Sequence, residues 1–392
     1  MANPKTVGVN LLWLNPGVVG GSEEYTVRLL RSADDINQGC SPEKRLSFRL
    51  YLTPELLVAY PDLQDRFYCN VAPGMDRFSM GQKGLRIGLE HSWLTAQSRC
   101  DSLLHHAGGT VPLVRSTTTV VTVHDLQPLE YPENFSAVKR LWLGSMIPKA
   151  ITAARTVICP SQFTADRIVE LLGVSPEKTV VVSQGYQAME STEASSASSS
   201  TKRFGQFLLY PAIMYKHKRH VDIVRALDHL RDRLGDLNVV FTGRRGPEFE
   251  TVSRLVDTLG LGDRIHFLDR IPAAELDSLY RTAAATVIPS SYEGFGNPAL
   301  EAMARGCPVI VADAAALPEV VGEHAEKVPV GDVSGWADVI EEVVSNPKKA
   351  ERLAEAGLER AASYDWATAG STLLQVYRDA LRPYRRNQQE DV

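Results

Sequence analysis

Residues 285–313, ATVIPSSYEGFGNPALEAMARGCPVIVAD, read as strand, loop, helix and strand. The outer runs, ATVI and PVIVAD, are apolar at successive positions, which is the pattern of strands buried on both faces. Between them, PALEAMARG has the composition of a helix, with Pro298 at its first position and Gly306 at its end. A strand, a crossover helix and a second strand make a parallel unit, and a parallel sheet needs helices on both faces. The loop after the first strand therefore lies at the carboxyl edge of the sheet, where open α/β sheets bind ligands.

Working outward, the same alternation runs through the chain. TVGVNLLWL, RLSFRLYL, SLLHHA, TTVVTVHD, TVICPS and TVVVSQG are strand candidates in the first half, separated by helix-period segments such as SEEYTVRLLRSA and SAVKRLWLGSMIPKAITAA. The alternation restarts with QFLLYPA, LNVVFTG and RIHFLD. Between the halves, ESTEASSASSSTK contains no large apolar side chain and cannot pack. The expected organisation is two Rossmann-like, doubly wound α/β domains facing each other across a cleft. The first spans 1–189, a Ser-rich linker or loop 190–203, and the second domain 204–365. Residues 366–392 form a C-terminal helix, free to pack back on the first domain, with a frayed tail. Trp366, Leu373, Leu374, Tyr377 and Leu381 fall at helical spacing in it.

Composition narrows the function classes. The chain of 392 residues is 44% hydrophobic and 23% charged, with a net charge of −5, so it lacks the electrostatic footprint of a nucleic-acid binder. MANPKTVGVNLLWLNPG reads as a first strand and not as a signal peptide. No run of eighteen apolar residues is present to cross a membrane. Five cysteines without a C-x-x-C pair suit a reducing cytoplasm and argue against a disulfide framework or structural zinc.

The loop of the opening stretch carries the chemistry. Glu293 stands at the sheet edge, and Gly294, Phe295, Gly296 and Asn297 lead into a helix N-terminus, whose unpaired N–H groups favour an anion such as phosphate. Glu301, about one turn into the helix, would repel a phosphate set against it and suits neutral donors such as ribose hydroxyls. The order hydroxyls, diphosphate, hydroxyls describes a nucleotide sugar.

EGFGNPALE resembles the E-x7-E motif of retaining glycosyltransferase family 4, whose members have the GT-B fold. The resemblance covers nearly the whole chain. PGVVGGSEEYTVRLL is similar to the family's N-terminal glycine-rich loop, VVTVHDLQPLEYPENFSAVKR to its His-Asp strand end, and VICPSQFTADRIVELLGV to the next unit. LLYPAIMYKHKRHVDIVRAL resembles the first unit of the donor domain, and LPEVVGEHAEKVPVGDVSGWADVI its end. The resemblance implies that Glu293 contacts sugar hydroxyls, Glu301 the ribose, and the backbone of Gly294, Phe295, Gly296 and Asn297 the sugar and phosphates. It implies a site role for His124 beside a turn-capping Asp125, and close approach of Gly20 and Gly21 to a phosphate or acceptor. Lys218 matches the lysine that neutralises the leaving diphosphate. The family's arginine six residues earlier is Ala212 here, and Lys216, Arg219, Arg244 and Arg245 are the candidates to supply its charge.

The expected activity is retaining, metal-independent hexosyl transfer from a nucleotide-diphosphate sugar to a glycan or lipid-linked saccharide, by front-face substitution without a protein nucleophile. GDP-mannose is the first choice of donor, because the chain resembles the mannosyl- and rhamnosyl-transferring branch. UDP-hexoses and dTDP-rhamnose remain alternatives. No two aspartates stand two residues apart, so the Asp-x-Asp signature of metal-dependent transferases is missing, and neither metal nor other cofactor is expected beside the donor. The rival readings are another GT-B activity and a catalytically silent subunit that binds a partner or glycan. VKRLWLGSMIPKAI, with Lys139, Arg140 and Lys149 among apolar residues, reads first as a packed helix with a solvated face and second as a peripheral membrane contact of a cytoplasmic protein.

Overall fold

Thirteen short strands form two separate sheets in the described residues of the computed structural model, which are 5–18, 20–73, 83–113, 117–186 and 201–383. The first sheet holds β1 (Thr6–Asn10), β2 (Ser47–Leu52), β3 (Tyr68–Val71), β4 (Leu103–His106), β5 (Thr118–Thr122), β6 (Thr156–Cys159) and β7 (Thr179–Val181). Its order is β3-β2-β1-β4-β5-β6-β7, and every pairing is parallel. The second holds β8 (Phe207–Pro211), β9 (Asn238–Thr242), β10 (Ile265–Leu268), β11 (Ala285–Ile288), β12 (Val309–Ala312) and β13 (Glu326–Val328), in the order β10-β9-β8-β11-β12-β13, also all parallel. These are the two Rossmann-like domains of a GT-B fold. Each sheet reverses its strand order once, at β1/β4 and at β8/β11, and such switch points open a crevice at the carboxyl ends of the strands.

The strand runs are buried because helices cover both faces. ATVI of β11 and VIVA of β12 are buried at every position. The helix expected over PALEAMARG runs Asn297–Met303, one residue earlier than the proline suggests, with Pro298 inside its first turn.

The C-terminal helix, Trp366–Ala380, joins the core of the first domain. Leu373, Leu374 and Tyr377 are fully buried there, while Trp366 and Leu381 pack at its margin. His105 at the centre of the sheet ties this helix down, its ring nitrogens lying 2.7 Å from the Tyr377 hydroxyl and 2.7 Å from Thr122 Oγ1. The helix crosses Gly21–Gln38 so closely that a Cβ on Gly370 would lie 2.5 Å from Ser32 Oγ and 2.7 Å from the Ala33 nitrogen. The chain thus passes between domains twice at one place, where the Tyr186 N–H donates to the Tyr364 carbonyl at 2.9 Å. Residues 187–200, which include most of the Ser-rich stretch 190–203, lie outside the described residues, as does the tail from 384.

Candidate active site

A cleft of about 370 Å³ separates the carboxyl edges of the two sheets and is lined from both sides. The first domain contributes Gly21 and Tyr25 after β1, His124 and Asp125 after β5, and Pro160 after β6; the second contributes Lys218 after β8 and the 293–301 segment after β11. All the site residues expected from sequence line it except Gly20, which sits one residue outside as the positive-φ cap of the helix Gly21–Gln38.

Lys218 Nζ lies 2.6 Å from Glu293 Oε1, and both side chains are mostly shielded, at 18% and 12% exposure. The lysine and the first glutamate are therefore one charge-paired unit, an arrangement that their 75-residue separation does not disclose. The backbone of Lys218 is fixed by the buried Tyr210, whose hydroxyl donates to its carbonyl at 3.0 Å. Lys218 is the one lysine or arginine among the described lining residues. The candidates for the missing arginine are used elsewhere: Arg219 pairs with Asp222 at 2.6 Å, Arg244 donates to the Val18 carbonyl at 3.1 Å, and Arg245 faces Asp269 at 3.4 Å. Lys216 is exposed outside the cleft.

Glu301 accepts a hydrogen bond from the Tyr280 hydroxyl at 2.8 Å. Arg305 stands over the Tyr280 ring, pairs with Asp277 at 2.6 Å and donates to the Glu301 carbonyl at 2.8 Å. Burial pushes the Glu301 carboxyl upward, while Tyr280 and Arg305 pull it back toward the charged form. Sequence reading missed Tyr280, since DSLYRT presents it as one more apolar position of a helix. Its hydroxyl finds a use only once Glu301 is placed against it.

The His124 ring contacts Tyr25 edge-on at 5.5 Å and Trp13 at 5.4 Å. Its Nε2 donates to the Ala107 carbonyl at 2.9 Å, which leaves Nδ1 as an acceptor in the neutral ring. Burial lowers its pKa to about 4, so it stays neutral near pH 7. It can accept from a sugar hydroxyl but carries no charge for a phosphate. Asp125 makes an Asx turn, its Oδ1 accepting from the Gln127 N–H at 2.9 Å.

The donor loop is held by close approach. A Cβ on Gly21 would run into the Asn297 amide, bringing the glycine-rich loop of the first domain onto the start of the second domain's helix. The Phe295 ring is buried against Tyr364, so this residue offers its backbone to the cleft. Further contacts across the domains come from Tyr292, whose hydroxyl accepts from the Leu126 N–H at 3.0 Å, and from His217, packed against Gln127 and Asn134. Burial takes the His217 pKa down to about 4, so it adds no positive charge beside Lys218 near neutral pH.

Residues 192–360 match the family model for glycosyl transferases group 1, and residues 91–188 the model for Glycosyltransferase Family 4. A D-inositol 3-phosphate glycosyltransferase of Thermobifida fusca is 29% identical over 340 residues, 81% of this chain and 76% of that protein. The O-antigen chain mannosyltransferase RfbU of Salmonella typhimurium is 29% identical over 248 residues, 63% of this chain and 65% of that protein. Among solved structures, Anabaena HepE in complex with UDP and glucose superposes with a TM-score of 0.73 at 17% identity, covering 96% of this chain and 100% of that one.

Proposed function

Since the chain belongs to glycosyltransferase family 4 and is a glycosyltransferase of GT-B fold, we propose that it moves a hexose, with retention, from a nucleotide-diphosphate sugar to a glycan or lipid-linked saccharide. One observation carries this reading. The Lys218–Glu293 pair and the Tyr280–Glu301 pair face a single cleft on either side of the 294–297 backbone. Glu301 holds the ribose and Glu293 the sugar hydroxyls, while Lys218 and the backbone N–H groups meet the charge that grows on the leaving diphosphate. The acceptor enters from the first domain, on the face from which the diphosphate departs. The departing oxygen takes the acceptor's proton, so positioning and charge stabilisation suffice.

GDP-mannose is the proposed donor, a reading supported by the mannosyltransferase relative from Salmonella. HepE, solved with UDP and glucose, keeps UDP-glucose as the alternative. The proposed reaction uses no divalent ion. Lys218 supplies the positive charge in the cleft instead. A reducing cytoplasmic setting fits five free cysteines. Among the described residues no helix is long and apolar enough to cross a membrane. The proposed peripheral contact is the start of the helix Ala137–Ala153, where Val138 and Leu141 are 80% and 73% exposed beside Lys139 and Arg140. Flotation with anionic vesicles, lost in Val138→Asp/Leu141→Asp, tests it.

The deciding experiment is thermal shift with GDP, UDP and dTDP, followed by kinetics of two variants with the donor so chosen. Ligand at a hundred times its dissociation constant adds about 2.7 kcal/mol to stability. Glu301→Ala is expected to weaken nucleotide binding, and Glu293→Ala to lower turnover far more than affinity. Equal losses of affinity with full turnover at saturation would overturn these roles. Binding of nucleotide without any donor hydrolysis or transfer would instead favour a silent subunit.

A further inference from the structure

Gly294 is gripped by the first domain from two sides. On one side a Cβ would run into the His124 carbonyl oxygen and stand 2.9 Å from Asp125 Cβ, so only glycine fits there. On the other side its carbonyl accepts from Ser161 Oγ at 2.6 Å and from Thr164 Oγ1 at 3.1 Å. Both hydroxyls belong to the start of the helix Gln162–Leu172, and both residues are buried, at 0% and 1% exposure. Ser161 Oγ also accepts from the Thr164 N–H at 3.2 Å as the helix cap. The same Oγ lies 3.1 Å from Thr164 Oγ1, so the two hydroxyls form one cluster around the Gly294 oxygen, with the shortest contact from Ser161.

The peptide joining Gly294 to Phe295 is planar and trans. With its oxygen turned into the first domain, its N–H must point the opposite way, and the backbone of Phe295 is what faces the cleft. We infer that Ser161 and Thr164 are positioning residues for transfer: standing on the acceptor-side domain, they aim the Phe295 amide at the nucleotide sugar. The inference rests on the donor-loop reading above and adds a consequence to it. The donor site is complete only while the two domains are closed on each other. Glu319 fastens the same edge, its carboxylate accepting from the Gln162 and Phe163 N–H groups at 2.8 and 2.9 Å. The segment leading to Glu319 touches the donor loop, the Ala316 N–H donating to the Glu293 carbonyl at 3.3 Å.

The test compares wild type, Ser161→Ala/Thr164→Val, Ser161→Thr and Glu293→Ala as full chains. Affinities for GDP and UDP are measured by calorimetry, hydrolysis of GDP-mannose and UDP-glucose by nucleotide release, and amide exchange over 289–301 by mass spectrometry. The double variant is expected to lose about 10- to 100-fold in turnover, with nucleotide affinity within about threefold of wild type, because an interaction made only in the transition state is affected. Exchange over 289–301 is expected to rise by about tenfold or more, without a matching rise in the rest of the second domain. Ser161→Thr, which keeps the hydroxyl, is expected to retain most of the turnover. A role confined to folding would lower the melting temperature and leave the ratio of turnover to affinity unchanged. The inference is overturned if turnover survives in the double variant while Glu293→Ala loses it. If Glu293→Ala also keeps full turnover, the donor-loop reading itself has failed. In a chain that consumes neither donor, unchanged exchange over 289–301 in the double variant overturns the inference, and accelerated exchange confined to that segment sustains it.

Discussion

Lys218→Ala removes the cation from a site that holds one such side chain among its described lining residues, and its two effects separate by magnitude. The first is on stability. Glu293 loses a partner at 2.6 Å while remaining only 12% exposed. Breaking a fully buried pair costs about 3–5 kcal/mol and a surface pair contributes about 0–1 kcal/mol. A pair at the wall of an open cleft falls toward the lower end, about 1–2 kcal/mol. The second effect is on turnover. A preorganised contact to developing charge is worth about 10²–10³ in rate, or roughly 2.7–4 kcal/mol of activation free energy. Lys218→Arg is not expected to rescue it, because a planar guanidinium fork replaces a compact ammonium on a backbone that Tyr210 holds in place. The assay is steady-state kinetics with urea unfolding of each variant, beside single variants of Lys216, Arg219, Arg244 and Arg245. A double-mutant cycle with Glu293→Gln then separates two roles. If Lys218 serves only as counterion to Glu293, the double variant is no slower than Glu293→Gln. If it also meets the diphosphate, the double variant loses about tenfold or more beyond that. Lys218→Ala with more than about a tenth of wild-type turnover would refute the assignment.

The other predictions concern metal, pH and packing. Turnover is expected to survive EDTA, and activity abolished by the chelator and restored by magnesium or manganese would contradict the assignment of charge neutralisation to Lys218 and backbone amides. Burial lowers the His217 pKa to about 4 from 6.5, so the unfolded chain binds its proton first. The contribution of its neutral ring is therefore complete above about pH 6.5 and falls at about 1.4 kcal/mol per pH unit as pH drops toward 4. His217→Gln should flatten the pH dependence of the urea midpoint between pH 6.5 and 4.5 relative to wild type, and parallel curves would count against the burial argument. Gly370→Val drives a side chain into Ser32 and the Ala33 backbone, and is expected to destabilise by about 1–3 kcal/mol in urea unfolding. An unchanged midpoint would show that the two helices can separate freely.

Much of this molecule could be read from local pattern. The apolar runs of β11 and β12 around PALEAMARG identified a parallel unit, because burial on both faces demands uninterrupted apolar sequence and a crossover helix demands its own period. The positions of Glu293 and Glu301 followed as well, since strand, turn and first helical turn have nearly fixed lengths. The face of the C-terminal helix was legible in Leu373, Leu374 and Tyr377, but its destination was not: nothing local says that Tyr377 meets His105, 272 residues earlier. The same limit applies inside the site. Pairing of Lys218 with Glu293, support of Glu301 by Tyr280, and the hold of Ser161 and Thr164 on Gly294 each join residues from different elements of the fold. Period and turn chemistry arise from neighbours one to four positions apart, so sequence alone determined most of the elements, though not the short edge strands β3 and β13, and the edge of the sheet on which each reactive group stands. Which groups touch across the cleft depends on how two sheets, a crossing helix and close-packed glycines settle against one another, and only the tertiary structure decided that.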